Sequence, residues 1–147
     1  MDYKLLCAQL KALTEDVENV ISNLSNASAL LWQELADINW AGFYKMEGGI
    51  LVLYPFQGKP ACTKIAVGKG VCGTAVAENR TQLVPDVHQF PGHIACDCAS
   101  NSEIVVPIHV NGEIWGVLDI DSPSFSRFNE EDQKGLENFV KILETVL

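Results

Sequence analysis

Cys96 lies in the stretch Pro91-Gly92-His93-Ile94-Ala95-Cys96-Asp97, and Glu103, Asp119 and Asp121 follow it near the ends of two strand-like segments. A soluble domain gains no stability by crowding carboxylates beside a thiol in a polar loop, so the arrangement calls for a chemical explanation. A cysteine in such a loop is a candidate nucleophile rather than a buried small hydrophobe. Clustered carboxylates suit two tasks. They grip a cation, such as an ammonium group or a metal, and at least one of them holds a proton that it can donate near neutral pH. The other cysteines are Cys7, Cys62, Cys72 and Cys98. Cys7 lies beside a helical apolar stripe and reads as core, whereas Cys62 and Cys72 fall at element ends where a partner thiol could approach.

The carboxylates are positioned by a hairpin over 103–121, with its turn at Val110-Asn111-Gly112-Glu113. A two-residue turn would set Ile104 opposite Asp119 and mix apolar with charged residues on both faces. A three-residue loop with Gly112 in a bulge position pairs His109 with Glu113 instead. Ile104, Val106, Ile108 and Val110 then share one apolar face with Ile114, Gly116, Leu118 and Ile120, and a buried face sets the register. The expectation is therefore that Glu103 faces Asp119 directly, with Asp121 two residues along on the same side.

Around this hairpin the periodicity changes with position. Tyr3, Leu6, Leu10, Leu13, Val17 and Val20 form one helical stripe, and Ser25 and Asn26 read as caps before a second helix from Ala29. Residues 40–46 and 50–56 flank Gly48-Gly49 as a hairpin, and 63–67 reads as a third strand. A short helix over 71–79 and a strand over 82–84 lead into the irregular segment 85–102, too long for an ordinary connection and thus functional in character. Asn129 caps a final helix that buries Leu136, Phe139, Val140, Leu143 and Leu147. The order predicts an α+β domain spanning 1–147, with N-terminal helices over 1–36 and the sheet, loop and C-terminal helix over 37–147.

Composition narrows the function classes. A net charge of −9 over 147 residues argues against binding phosphate backbones or anionic membranes. No apolar run is long enough to span a bilayer and no leader pattern opens the chain, so a cytoplasmic location is expected. Five cysteines without secretory features do not form a disulfide framework. The spacing of His88, His93, Cys96 and Cys98 matches no common zinc site, so no metal is expected. Gly68-Lys69-Gly70-Val71-Cys72-Gly73 has the letters of a dinucleotide fingerprint, but its short helix and antiparallel neighbours predict a tight turn into a helix instead. Trp40 and Tyr44 share a strand face and could wall an apolar pocket.

Several motifs, in order from about Trp32 to the C-terminus, carry a family resemblance. They are Trp40-Ala41-Gly42-Phe43-Tyr44, Pro55-Phe56-Gln57-Gly58-Lys59-Pro60-Ala61-Cys62, the glycine motif continuing to Thr74-Ala75, Phe90 to Asp97, Ser102 to Pro107, and Gly116 to Pro123. Together they resemble the free methionine-(R)-sulfoxide reductases, which are GAF-domain enzymes. The resemblance implies a GAF-like six-stranded antiparallel sheet covered by helices, in a homodimer. It implies reduction of free L-methionine-(R)-sulfoxide to methionine without a bound cofactor, with electrons from thioredoxin, itself recharged by NADPH through thioredoxin reductase. Carried over, Cys96 attacks the sulfoxide sulfur and becomes a sulfenic acid. Cys62 then resolves it to a disulfide, with Cys72 as the other candidate. Glu103, Asp119 and Asp121 would bind the ammonium group and protonate the sulfoxide oxygen, while Trp40 and Tyr44 hold the methyl group. Cys98 departs from the family pattern, and an incidental role is expected for it. The alternative reading is a non-catalytic GAF domain that senses a small ligand or redox state.

Overall fold

Asp2 opens the first helix, α1 (Tyr3–Thr14), by accepting a hydrogen bond from the Leu5 N–H. The computed structural model describes residues 1–92 and 99–147. The helical stripe expected to run on to Val20 stops early. Asp16 takes a left-handed conformation with φ 61°, and Leu13 and Val17 are 42% and 37% exposed. Glu15 and Asp16 would also place negative charge at the negative end of a helix dipole. Asn19 caps α2 (Val20–Glu34) through the Ser22 N–H. Ser25 and Asn26 therefore lie within this helix, not before it. The polar residues in it are accommodated locally: Ser28 donates to the Leu24 carbonyl at 2.9 Å and Asn23 to the Val17 carbonyl at 2.9 Å.

The strands are β1 (Trp40–Glu47), β2 (Ile50–Gly58), β3 (Lys64–Ala66), β4 (Gln82–Val84), β5 (Ser102–Val110) and β6 (Glu113–Ser122). They form one six-stranded sheet in the order β3-β2-β1-β6-β5-β4, and all of its pairs are antiparallel. The helix α3 (Gly70–Glu78) carries the chain from one edge to the other, and α4 (Glu130–Glu144) closes the fold. Asn129 and Asp132 form a reciprocal capping box at the start of α4.

Each sheet face has its own core. On one side Leu6, Leu24, Leu31, Ile104, Leu118 and Phe139 belong to the cluster beneath α1, α2 and α4. On the other, Val71 and Cys72 of α3 pack against Trp40, Tyr44, Val105 and Val117. The β5–β6 hairpin is thus buried on both faces, and its acidic residues lie on the α3 side.

The hairpin register corrects the expectation. Val110 pairs with Glu113, so the turn is the two-residue Asn111-Gly112, and Glu103 pairs with Asp121, not Asp119. Asn111 and Gly112 have φ of 55° and 79°, which is the conformation a two-residue hairpin turn demands. His109 faces Ile114 and Ile108 faces Gly116, so Trp115 is an extra residue in a β-bulge. The bulge restores the alternation that an uninterrupted two-residue hairpin would have lost. Ile104, Val106, Ile108, Leu118 and Ile120 do share the apolar face, while Val110 and Ile114 lie beyond the bulge and only half-buried.

Candidate functional site

The open end of the β5–β6 hairpin, opposite its turn, brings three carboxyl groups together under α3. Glu103 stands directly across from Asp121, while Asp119 is opposite Val105 and diagonal to Glu103. Glu103 and Asp119 are only 7% and 6% exposed. Burial pushes the Glu103 carboxyl well above its ordinary value, and the neighbouring charges of Asp119 and then Asp121 push it further. Hydrogen bonds to both aspartates add to the effect. At least one of the three groups thus holds its proton above the ordinary carboxyl range, as close carboxylates cannot all ionise cheaply.

Cys72 joins this cluster from the first turn of α3. The preceding residues turn tightly because Gly68 and Gly70 have φ of 84° and 61°, and Gly73 lets the helix approach the Ala66 carbonyl where any Cβ would collide. With antiparallel pairing throughout the described sheet, the glycine motif is a tight turn into a helix and not a dinucleotide fold. Cys72 is a free thiol, buried, whose pKa is raised well above the usual thiol value, first by desolvation and then by Asp119, Glu103 and Asp121. A thiol held in this state is a poor nucleophile at neutral pH. Ligand atoms of Cys72, Glu103 and Asp119 lie within 4.8 Å of one another, so the cluster could hold a cation.

These side chains line a cavity of about 50 Å³ together with Trp40, Tyr44 and Ser100. Trp40 and Tyr44 stack with ring centroids 5.9 Å apart, and Trp40 stacks on Phe56 at 5.0 Å. Their polar ends are fixed by backbone. Trp40 Nε1 donates to the Lys59 carbonyl at 3.1 Å, and the Tyr44 hydroxyl donates to the Cys62 carbonyl at 2.8 Å. The two aromatic residues therefore both wall the cavity and suspend the segment that carries Cys62. Cys62 is disulfide-bonded. Cys7 is a half-buried free thiol against the helical core.

Cys96, Cys98 and His93 lie outside the described residues. The chain on either side of them is at the cavity: the Gly92 carbonyl accepts the Gly70 N–H at 3.2 Å, and both Gly70 and Ser100 line the wall. Sequence reasoning did not single out Ser100 or its partner Asn39, whose Nδ2 donates to Ser100 Oγ at 3.2 Å. Neither type nor spacing marks that pair, because the contact spans 61 positions of sequence.

A sheet of this order with a pocket between one face and a crossing helix defines the class of the protein. Residues 12–147 match the GAF domain. The chain is 57% identical to a protein of Escherichia coli named free methionine-R-sulfoxide reductase, over 99% of this chain and 88% of that one. It is 49% identical to one of the same name from Saccharomyces cerevisiae, covering 94% and 81% respectively. A solved structure of the reduced Staphylococcus aureus fRMsr superposes with a TM-score of 0.97 at 57% identity, covering 99% of this chain and 95% of the other. The chain belongs to the GAF-domain family and, within it, to the free methionine-R-sulfoxide reductases. A further solved structure, the Neisseria meningitidis reductase in complex with its substrate, is 42% identical with a TM-score of 0.95, covering 98% and 87%. Among the described residues no helix is long and apolar enough to cross a membrane.

Proposed function

We propose that this cavity reduces free L-methionine-(R)-sulfoxide to L-methionine, with Cys96 as the nucleophile and Cys62 as the resolving thiol. The observation that carries the reading is the cluster of buried Glu103 and Asp119 with half-buried Asp121, lining one cavity together with two stacked aromatic rings. The acids bind the ammonium group, and Trp40 and Tyr44 receive the methyl end. Family membership and the names of the relatives point the same way.

In this mechanism the Cys96 thiolate forms an S–S bond to the sulfoxide sulfur. The oxygen takes up two protons, one from Glu103, and leaves as water. Water then attacks Cys96 Sγ, breaks the new S–S bond and releases methionine and one proton, leaving a sulfenic acid. The Cys62 thiol condenses with it, expelling water and forming a disulfide that a thioredoxin dithiol reduces by exchange. Cys62 suits the resolving role better than Cys72, because it is already disulfide-bonded whereas Cys72 is a buried thiol kept protonated. In the sequence Cys96 falls midway between Gly92, whose carbonyl accepts from the cavity-lining Gly70, and Ser100, which lines the cavity itself. The enzyme works in a reducing cytoplasm as a homodimer, and light scattering should give twice the chain mass.

The test couples purified protein to thioredoxin, thioredoxin reductase and NADPH, then supplies free R- or S-methionine sulfoxide. NADPH oxidation with the R form alone is expected. No oxidation with the R form, or full activity in Cys96→Ser, would sink the reading. Cys62→Ser should release methionine once per chain but not recycle with thioredoxin. Recycling retained there and lost in Cys72→Ser would move the resolving role to Cys72.

A further inference from the structure

Asn101, the last residue before β5, uses all of its polar groups. Its N–H donates to the Ser122 carbonyl at 2.8 Å, and its carbonyl accepts the Val87 N–H at 3.0 Å. Its side-chain Nδ2 donates to the Pro123 carbonyl at 2.7 Å, and Oδ1 meets His88 Nε2 at 2.9 Å. A carbonyl can only accept, so the contact with Pro123 fixes which way the amide points. Oδ1 must then accept from His88, whose Nε2 therefore carries a hydrogen.

His88 is held in turn by its own surroundings. It sits in the 3-10 turn Val87–Gln89. Its N–H donates to Asp86 Oδ1 at 2.9 Å, and its ring lies 6.3 Å from that of Phe125. Three stretches of chain that are distant in sequence meet at this one pair. The consequence reaches the cavity through a single residue. Ser100, next to Asn101, is buried and lines the wall. It is bonded to Asn39, whose N–H donates to the Asp121 carbonyl at 2.9 Å.

We propose that His88 is a positioning residue for the reductase: by holding the Asn101 amide it fixes the chain at Ser100, one wall of the substrate cavity. The proposal rests on the reductase reading. His88 itself touches neither the acids nor the aromatic pair among the described contacts, so its effect is on binding geometry and not on chemistry.

Steady-state kinetics of His88→Ala, His88→Gln, Asn101→Ala and the double alanine variant test it, with melting curves for each. His88→Ala and Asn101→Ala should raise KM for free R-methionine sulfoxide by roughly 3- to 10-fold, the size of one lost hydrogen bond, with the melting temperature of His88→Ala lowered by no more than about 5 °C. The double variant should be no worse than the poorer single one, because both remove the same interaction. His88→Gln keeps an N–H donor and should recover most of the loss. Wild-type KM in His88→Ala, additive losses in the double variant, or equal losses in His88→Gln and His88→Ala would overturn the proposal. If Asn101→Ala fails to fold, the contrast between the alanine and glutamine variants at His88 decides alone. Should the wild-type protein itself turn over no methionine sulfoxide, the reductase reading fails, and the His88 proposal is judged on the rate at which iodoacetamide labels Cys96 in the reduced protein. A rate changed several-fold in His88→Ala and restored in His88→Gln supports it, and an unchanged rate overturns it.

Discussion

In the proposed mechanism one carboxyl, Glu103, would serve both binding and proton transfer. Burial and two neighbouring acids keep it protonated above its ordinary range. Glu103→Gln keeps the shape but cannot deliver a proton, so kcat/KM for free R-methionine sulfoxide should fall about 100-fold or more in the coupled assay. The same substitution has a sign on stability. The folded chain holds this proton more tightly than the unfolded chain, whose Glu103 titrates near the usual value of 4.5. Its contribution to stability is complete below that value and is lost as pH rises through the raised folded value. Melting temperatures followed between about pH 5 and pH 8 should therefore decline less in Glu103→Gln than in the wild type. The importance of the three acids was legible in the sequence, since like charges at strand ends are costly without a purpose. Their pairing was not, and neither was the burial of Cys72, which depends on α3 lying across the sheet.

At the level of elements, two local signals conflicted and each proved partly right. The Asn111-Gly112 pair signalled a two-residue turn, and the apolar alternation signalled that Ile104 shares a face with Leu118 and Ile120. Both hold, because the bulge at Trp115 absorbs the difference. Sequence does not show where an extra residue sits in a strand, so the apolar pattern alone predicts Asp119 as Glu103's direct partner where the fold has Asp121. A similar limit applied to α1 and α2. Leu13 and Val17 have helical spacing but little to pack against, and only the left-handed Asp16 reveals the break. Beside the bulge, Gly116 lets β1 come close: a Cβ there would collide with the Tyr44 carbonyl. Gly116→Ala should cost about 1–3 kcal/mol by overpacking, read as a lower urea midpoint. Because Tyr44 is the residue displaced, KM should rise as well.

Over the whole molecule, the sheet separates a structural half from a chemical one. Leu31 is fully buried under the helical face, in the cluster that excludes the cavity residues. Leu31→Ala should therefore cost about 2–5 kcal/mol in urea unfolding while the folded fraction keeps a wild-type KM. Loss of substrate affinity in that variant would show that the two halves are coupled through the sheet. The aromatic suspension of the 59–62 segment has an optical consequence. Trp40 stacks on two rings, and its indole N–H is tied three residues before Cys62. Breaking the Cys62 disulfide with dithiothreitol should alter the indole's surroundings and hence the protein's tryptophan emission. Trp32 is exposed and Trp115 packs against the other core, so Trp40→Phe should abolish the signal. The enzyme would then carry its own fluorescent gauge of oxidation state, readable in real time without a label.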